Sequence, residues 1–94
     1  MQEENLNNKN NKLLIIALGK LVKKHRLAKN KSIYKISAES QMSKGTWRDV
    51  ELGVGNDVNL TTIWKIAEGL DVKIDILFNE LLKELDENFT LTDL

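Results

Sequence analysis

The run S-I-Y-K-I-S-A-E-S-Q-M-S-K-G-T-W-R-D-V-E, from Ser32 to Glu51, decides how this chain folds. It reads as two short helices around a three-residue corner. Ser32 stands where a side-chain oxygen can accept a bond from an unpaired first-turn amide, opening a helix that runs to about Glu39. Ser43 can do the same for a second helix running to about Glu51. The corner between them is Ser40-Gln41-Met42. Ile33, Ile36, Met42, Trp47 and Val50 fall inward and pin one helix across the other, while Lys44, Gly45, Thr46, Arg48 and Asp49 are left outward.

Two helices joined in this way predict a helix-turn-helix, whose second helix can lie in the major groove of DNA. Leu14, Leu18, Leu21, Val22 and His25 recur on one helical face, predicting a helix from Leu13 to about Lys29. His25 is read as a packed histidine, because one histidine without an acid or a second ligand in register offers little chemistry. Asn30 suits a left-handed helix terminator, as does Gly53 after the second helix of the central pair. Asn59 can cap a fourth helix carrying Leu60, Ile63, Trp64, Ile66, Ala67 and Leu70. Asp71-Val72 makes the next corner, and Ile74, Leu77, Phe78, Leu81, Leu82 and Leu85 line a fifth helix. That leucine stripe runs past what one small core needs, so Leu77, Leu81, Leu82 and Leu85 are assigned to a dimer interface.

Residues 1–12 are rich in Asn, Gln, Glu and Lys, with Leu6 the only apolar residue after Met1, and are read as a flexible arm. The domain then spans 13–86, and 87–94 form a tail that either joins the dimer contact or stays disordered.

The 94 residues support one small domain. Its net charge is zero, but the distribution is lopsided. From Lys20 to Val50 nine bases face two acids, a balance of +7; from Glu51 to Leu94 ten acids face three lysines, a balance of −7. Such asymmetry points to a polyanion-binding face more clearly than the sum does. The lack of cysteine excludes disulfides, thiolate metal sites and thiol catalysis. No apolar run approaches the roughly 18–20 residues that span a bilayer. Leu13 to Leu18 lacks a small-residue cleavage site, so neither a membrane segment nor a signal peptide is expected and a cytoplasmic location is. No catalytic constellation, glycine-rich phosphate loop or metal-ligand spacing can be placed, so no enzyme activity, cofactor or metal is expected.

With its flanks, the central stretch resembles the phage-repressor class of helix-turn-helix domains, the Cro- and Xre-like family. The resemblance is carried by Leu18, Gly19, Val22, Lys23, His25 and Arg26; by Ser32 and Ile36; and by Met42, Ser43, Trp47, Val50, Glu51 and Gly53. It continues through Leu60, Ile63, Ala67, Leu70, Val72, Asp75, Leu77 and Phe78. It covers roughly two-thirds of the chain and implies an all-α, compact five-helix, lambda-repressor-like domain with its helix-turn-helix at helices two and three. It further implies a structural ion pair between Arg26 and Glu51. By position, Lys44, Gly45 and Asp49 become the base-facing set; lysine suits guanine O6 and N7, and aspartate can accept from cytosine N4. Ser32, Lys35, Ser43, Thr46, Arg48 and Lys23 become phosphate contacts.

The chain departs from the family pattern at Ile33, where a phosphate-binding glutamine is usual, and at Ser37, where alanine is. It also departs at Ser40, usually apolar, and at Gln41, where the left-handed corner favours glycine. The loop after the second helix of the pair, Leu52 to Val58, carries Asp57 and no base. The implied function is a homodimeric, sequence-specific double-stranded DNA-binding regulator, acting as a repressor by occupying an operator. The alternative is a protein-interaction module, or an antitoxin-like partner of a toxin or co-regulator, on the same fold with weakened DNA binding.

Overall fold

Three helix starts are marked by a residue whose side chain caps the first turn. The computed structural model describes residues 2–92, and the side chains of 9–92. It contains α1 (Gln2–Ala28), α2 (Ile33–Glu39), α3 (Lys44–Leu52), α4 (Leu60–Leu70) and α5 (Ile74–Glu84), with no strand among the described residues. Ser32 Oγ accepts the Lys35 N–H at 3.1 Å, Ser43 Oγ the Thr46 N–H at 3.1 Å, and Asn59 Oδ1 the Thr62 N–H at 3.0 Å. Each bond satisfies a donor that the first helical turn leaves without a partner. Helix α5 begins at Lys73 with no side-chain cap, and Asp75 in its first turn faces the positive end of the helix dipole.

The chain leaves four helices through left-handed residues: Asn30, Gln41 and Asp71, each at φ 57°, and Gly53 at φ 68°. Asn, Asp and Gly adopt this conformation readily. Gln41 does not, and its strain is about 1 kcal/mol. The corner offsets it with two bonds, from the Gln41 N–H to Ala38 O at 3.1 Å and from the Met42 N–H to Ser37 O at 2.9 Å. Ser37 and Ser40 are both buried, and their hydroxyls donate back to Tyr34 O and Ile36 O at 3.1 and 2.8 Å. Neither polar substitution therefore leaves an unsatisfied group.

All five helices contribute to one core. Leu18, Leu21 and Val22 of α1 meet Ile36 of α2, Trp47 and Val50 of α3, Ile66, Ala67 and Leu70 of α4, and Leu77 and Leu81 of α5. The α1–α3 crossing is close enough that Gly19 has no room for a side chain: a Cβ there would lie against Val50 O and 2.7 Å from Glu51 O. No helix among the described residues is long and apolar enough to cross a membrane.

Three expectations need correcting. The segment read as a flexible arm is helical from Gln2, as the first turns of α1; Met1 lies outside the described residues. Extending a helix already nucleated by a core segment costs little per residue. Side chains also anchor this one: the Asn10 amide donates to Thr90 O at 2.8 Å, and the Lys12 ammonium donates to Gly53 O and Gly55 O, both at 3.3 Å.

The second correction concerns the leucines. Leu77 is fully buried and Leu81 is 6% exposed, so both belong to the chain's own core and not to the exposed stripe expected of a dimer contact. Leu85 is half-buried against that core, and Leu82, 68% exposed, alone of the four points to solvent. The tail then turns back. Leu91 joins Asn11, Leu14, Ile15, Asn56 and Asp57 around a cleft of about 250 Å³. Of the tail, residues 93 and 94 lie outside the described residues.

Third, His25 is half-buried and does have an acid partner: its Nε2 lies 2.7 Å from Glu80 Oε1, joining α1 to α5.

Candidate nucleic-acid interface

Helix α3 has two unlike sides. On the inner side Trp47 is fully buried and its indole N–H donates to Glu51 Oε2 at 2.7 Å. The same oxygen accepts from Arg26 Nε at 2.6 Å, and Glu51 Oε1 accepts from Arg26 Nη2 at 3.0 Å. The remaining guanidinium nitrogen, Nη1, donates to Lys31 O at 2.9 Å, on the approach to α2. One carboxylate thus holds the long indole that fills the α3 slot and the arginine that spans from α1. The hydrogen bond to Glu51 and its charge push the Arg26 pKa further up, against the opposing effect of burial. The guanidinium is therefore charged at any working pH, and the orientation of α3 against α1 is fixed.

The outer side is free of packing. Lys44, Thr46, Arg48 and Asp49 are exposed, and a Cβ added to Gly45 would meet nothing within 4 Å. Ser43 donates its hydroxyl hydrogen to Thr46 Oγ1 at 2.8 Å while capping α3, which leaves the Thr46 hydroxyl hydrogen for an outside acceptor. Ser32 caps α2 in the same way. Lys35 of α2 is exposed, as are Lys20, Lys23 and Lys24 on the outer face of α1. None of these, nor Arg48, has an ion-pair partner among the described residues. Two nearby lysines are engaged: Lys31 reaches Glu39 at 2.6 Å and Lys29 reaches Asp71 at 3.8 Å. The Glu39 carboxyl sits below its ordinary range because Lys31 donates to it.

Charge is therefore divided about α3. Exposed bases lie on α1, α2 and α3, whereas Asp49 and Asp57 both line a cleft of about 200 Å³ between α3 and the start of α4, with Thr46 and Thr62. Asp57 Oδ1 accepts the neighbouring Val58 N–H at 2.9 Å. The loop that carries no base of its own receives one from α1, because Lys12 caps Gly53 and Gly55.

Of the residues singled out in the sequence, Lys44, Gly45, Thr46, Arg48 and Asp49 share one short helix, joined at its capped start by Ser43. Ser32 and Lys35 lie one corner away, and Lys23 stands apart on α1 with no bond to them. Two participants were not singled out. Lys12 fell in the segment read as an arm. Tyr34, 70% exposed on α2, carries the Lys44 ammonium 5.5 Å from its ring centroid; an apolar-looking residue on an outer face was its only signal. No protein-family model matches this chain, and no curated protein matches it.

Proposed function

We propose that this protein is a sequence-specific regulator that binds double-stranded DNA as a homodimer, with α2 and α3 acting as a helix-turn-helix and α3 entering the major groove. It acts by occupying an operator. One observation carries the reading: α3 is clamped on its inner side by Trp47, Glu51 and Arg26, yet keeps Lys44, Thr46, Arg48 and Asp49 exposed on its outer side, with open space around Gly45. A rigid helix with an unspent polar face is what base readout requires. The exposed lysines on α1 and α2 supply the sequence-independent attraction to phosphate. With Leu77 and Leu81 in the core, the dimer contact uses other residues; Leu82 remains in place for it.

Lys44 and Arg48 have different jobs in this scheme, and their alanine variants separate them. Arg48→Ala should weaken binding to every duplex alike. Lys44→Ala should relax preference at one base pair, by about 1–3 kcal/mol. Fluorescence anisotropy on the selected duplex and on single-base variants reads both. Equal losses on all sequences from the two variants would remove the assigned roles.

A second reading is favoured by the surface between α4 and α5. Trp64 is 49% exposed and lines, with Val72 and Ile74, a cleft of about 550 Å³ rimmed by Glu68, Asp71, Lys73 and Asp75. A protein-interaction module, antitoxin-like where the partner is a toxin, would use such a surface and need no DNA. Salt separates the two: only phosphate contacts give a steep fall of affinity with ionic strength.

A further inference from the structure

The contact between Tyr34 and Lys44 crosses the corner between α2 and α3 and belongs to neither helix alone. Lys44 is the first residue of α3, and no acidic residue stands in that first turn. A cation there opposes the positive end of the helix dipole, so the ammonium has no local reason to stay close. It lies instead 5.5 Å from the centroid of the Tyr34 ring. That ring gains little from burial, being 70% exposed. An aromatic face attracts a cation through its quadrupole, and it also limits the rotamers of a four-carbon stem.

We infer that Tyr34 is a positioning residue for sequence readout, holding the Lys44 ammonium at the outer end of α3 ready to meet an acceptor on one base pair. The inference rests on the proposed DNA-binding reading. Tyr34 acts through Lys44: its π face sets specificity, and its hydroxyl is dispensable. A lysine already gathered onto the ring loses less freedom when it meets a base than one sampling all its rotamers.

The test compares the full chain with Tyr34→Phe, Tyr34→Leu and Lys44→Ala, alone and combined. Duplexes selected by the unaltered protein are used, together with variants at the base pair that Lys44→Ala identifies. Tyr34→Phe should discriminate as the unaltered protein does. Tyr34→Leu should lose about two- to tenfold in discrimination at that base pair alone, and should add nothing in the Lys44→Ala background. Full discrimination by Tyr34→Leu, or a loss that adds to that of Lys44→Ala, would overturn the inference while leaving DNA binding intact.

The resting contact is read without DNA. The Lys44 side-chain methylene resonances should be shifted upfield by the ring in the unaltered protein and in Tyr34→Phe, and return to ordinary positions in Tyr34→Leu. Ordinary positions in the unaltered protein would overturn the inference whatever the duplexes show. If the unaltered protein enriches no duplex at all, the DNA-binding reading fails and takes this one with it.

Discussion

Replacing Glu51 by alanine should lower the unfolding free energy by about 3–5 kcal/mol. The carboxylate accepts two bonds from Arg26 and one from Trp47. Its removal leaves a guanidinium and an indole N–H in an interior that offers no substitute, apart from the Lys31 carbonyl that Arg26 keeps. The penalty comes mostly from the orphaned charge. For a domain whose total stability is on the order of 5–15 kcal/mol, that is about a fifth of it or more.

Two further variants isolate the cause. Glu51→Gln keeps the shape and one acceptor and should cost less than Glu51→Ala. Removing both charges in Arg26→Leu with Glu51→Leu should also cost less than Glu51→Ala, because no charge is left without a partner. Urea denaturation followed by tryptophan fluorescence gives the ordering. The raised Arg26 pKa fixes the sign of the arginine's own pH response: its contribution is present below the arginine range and is lost as pH rises through it. A loss below about 1 kcal/mol for Glu51→Ala would mean that the pair is solvated and does not anchor α3.

Gly19→Ala is the second large effect, and it acts at the same crossing from the other side. The added methyl would meet the carbonyl oxygens of Val50 and Glu51. Backbone oxygens inside a helix cannot rotate away, so α1 and α3 must separate along the layer that holds Arg26, Trp47 and Glu51. Overpacking of this kind costs about 1–3 kcal/mol, and the better helix propensity of alanine recovers only part of it. Gly45→Ala is the control. Space around Gly45 is open, so there the propensity gain of up to about 1 kcal/mol should survive. Thermal unfolding of the two variants should therefore move in opposite directions. Two decreases of similar size would show that both glycines matter through the helix itself and that the close crossing does not.

What the sequence disclosed was mostly local. Ser32, Ser43 and Asn59 announce helix starts because an N-cap bond spans only three residues, and Asn30, Gly53 and Asp71 mark ends for equally local reasons. The assignments that failed needed partners distant in sequence. The amino-terminal turns of α1 have a polar composition, and the groups that hold them are at Gly53, Gly55 and Thr90. The acid opposite His25 is 55 residues away.

The interface assignment on helix five failed for a different reason. Leucines at Leu77, Leu81 and Leu82 span more than one face, and periodicity alone does not say which face a neighbouring helix covers. The structure gives Leu77 and Leu81 to the core and Leu82 to solvent. The contact of Tyr34 with Lys44 was hidden because it depends on the corner geometry, including the left-handed Gln41 that the sequence marked as a poor fit.

Selection from a random duplex library asks whether the outer face of α3 reads DNA. Anisotropy on the winners at two salt concentrations completes the measurement. If that face reads DNA, a palindromic motif with half-sites about one helical turn apart is expected, with an affinity that falls steeply between the two salts. Enrichment of no sequence, with binding indifferent to salt, would contradict it and turn attention to the cleft beside Trp64.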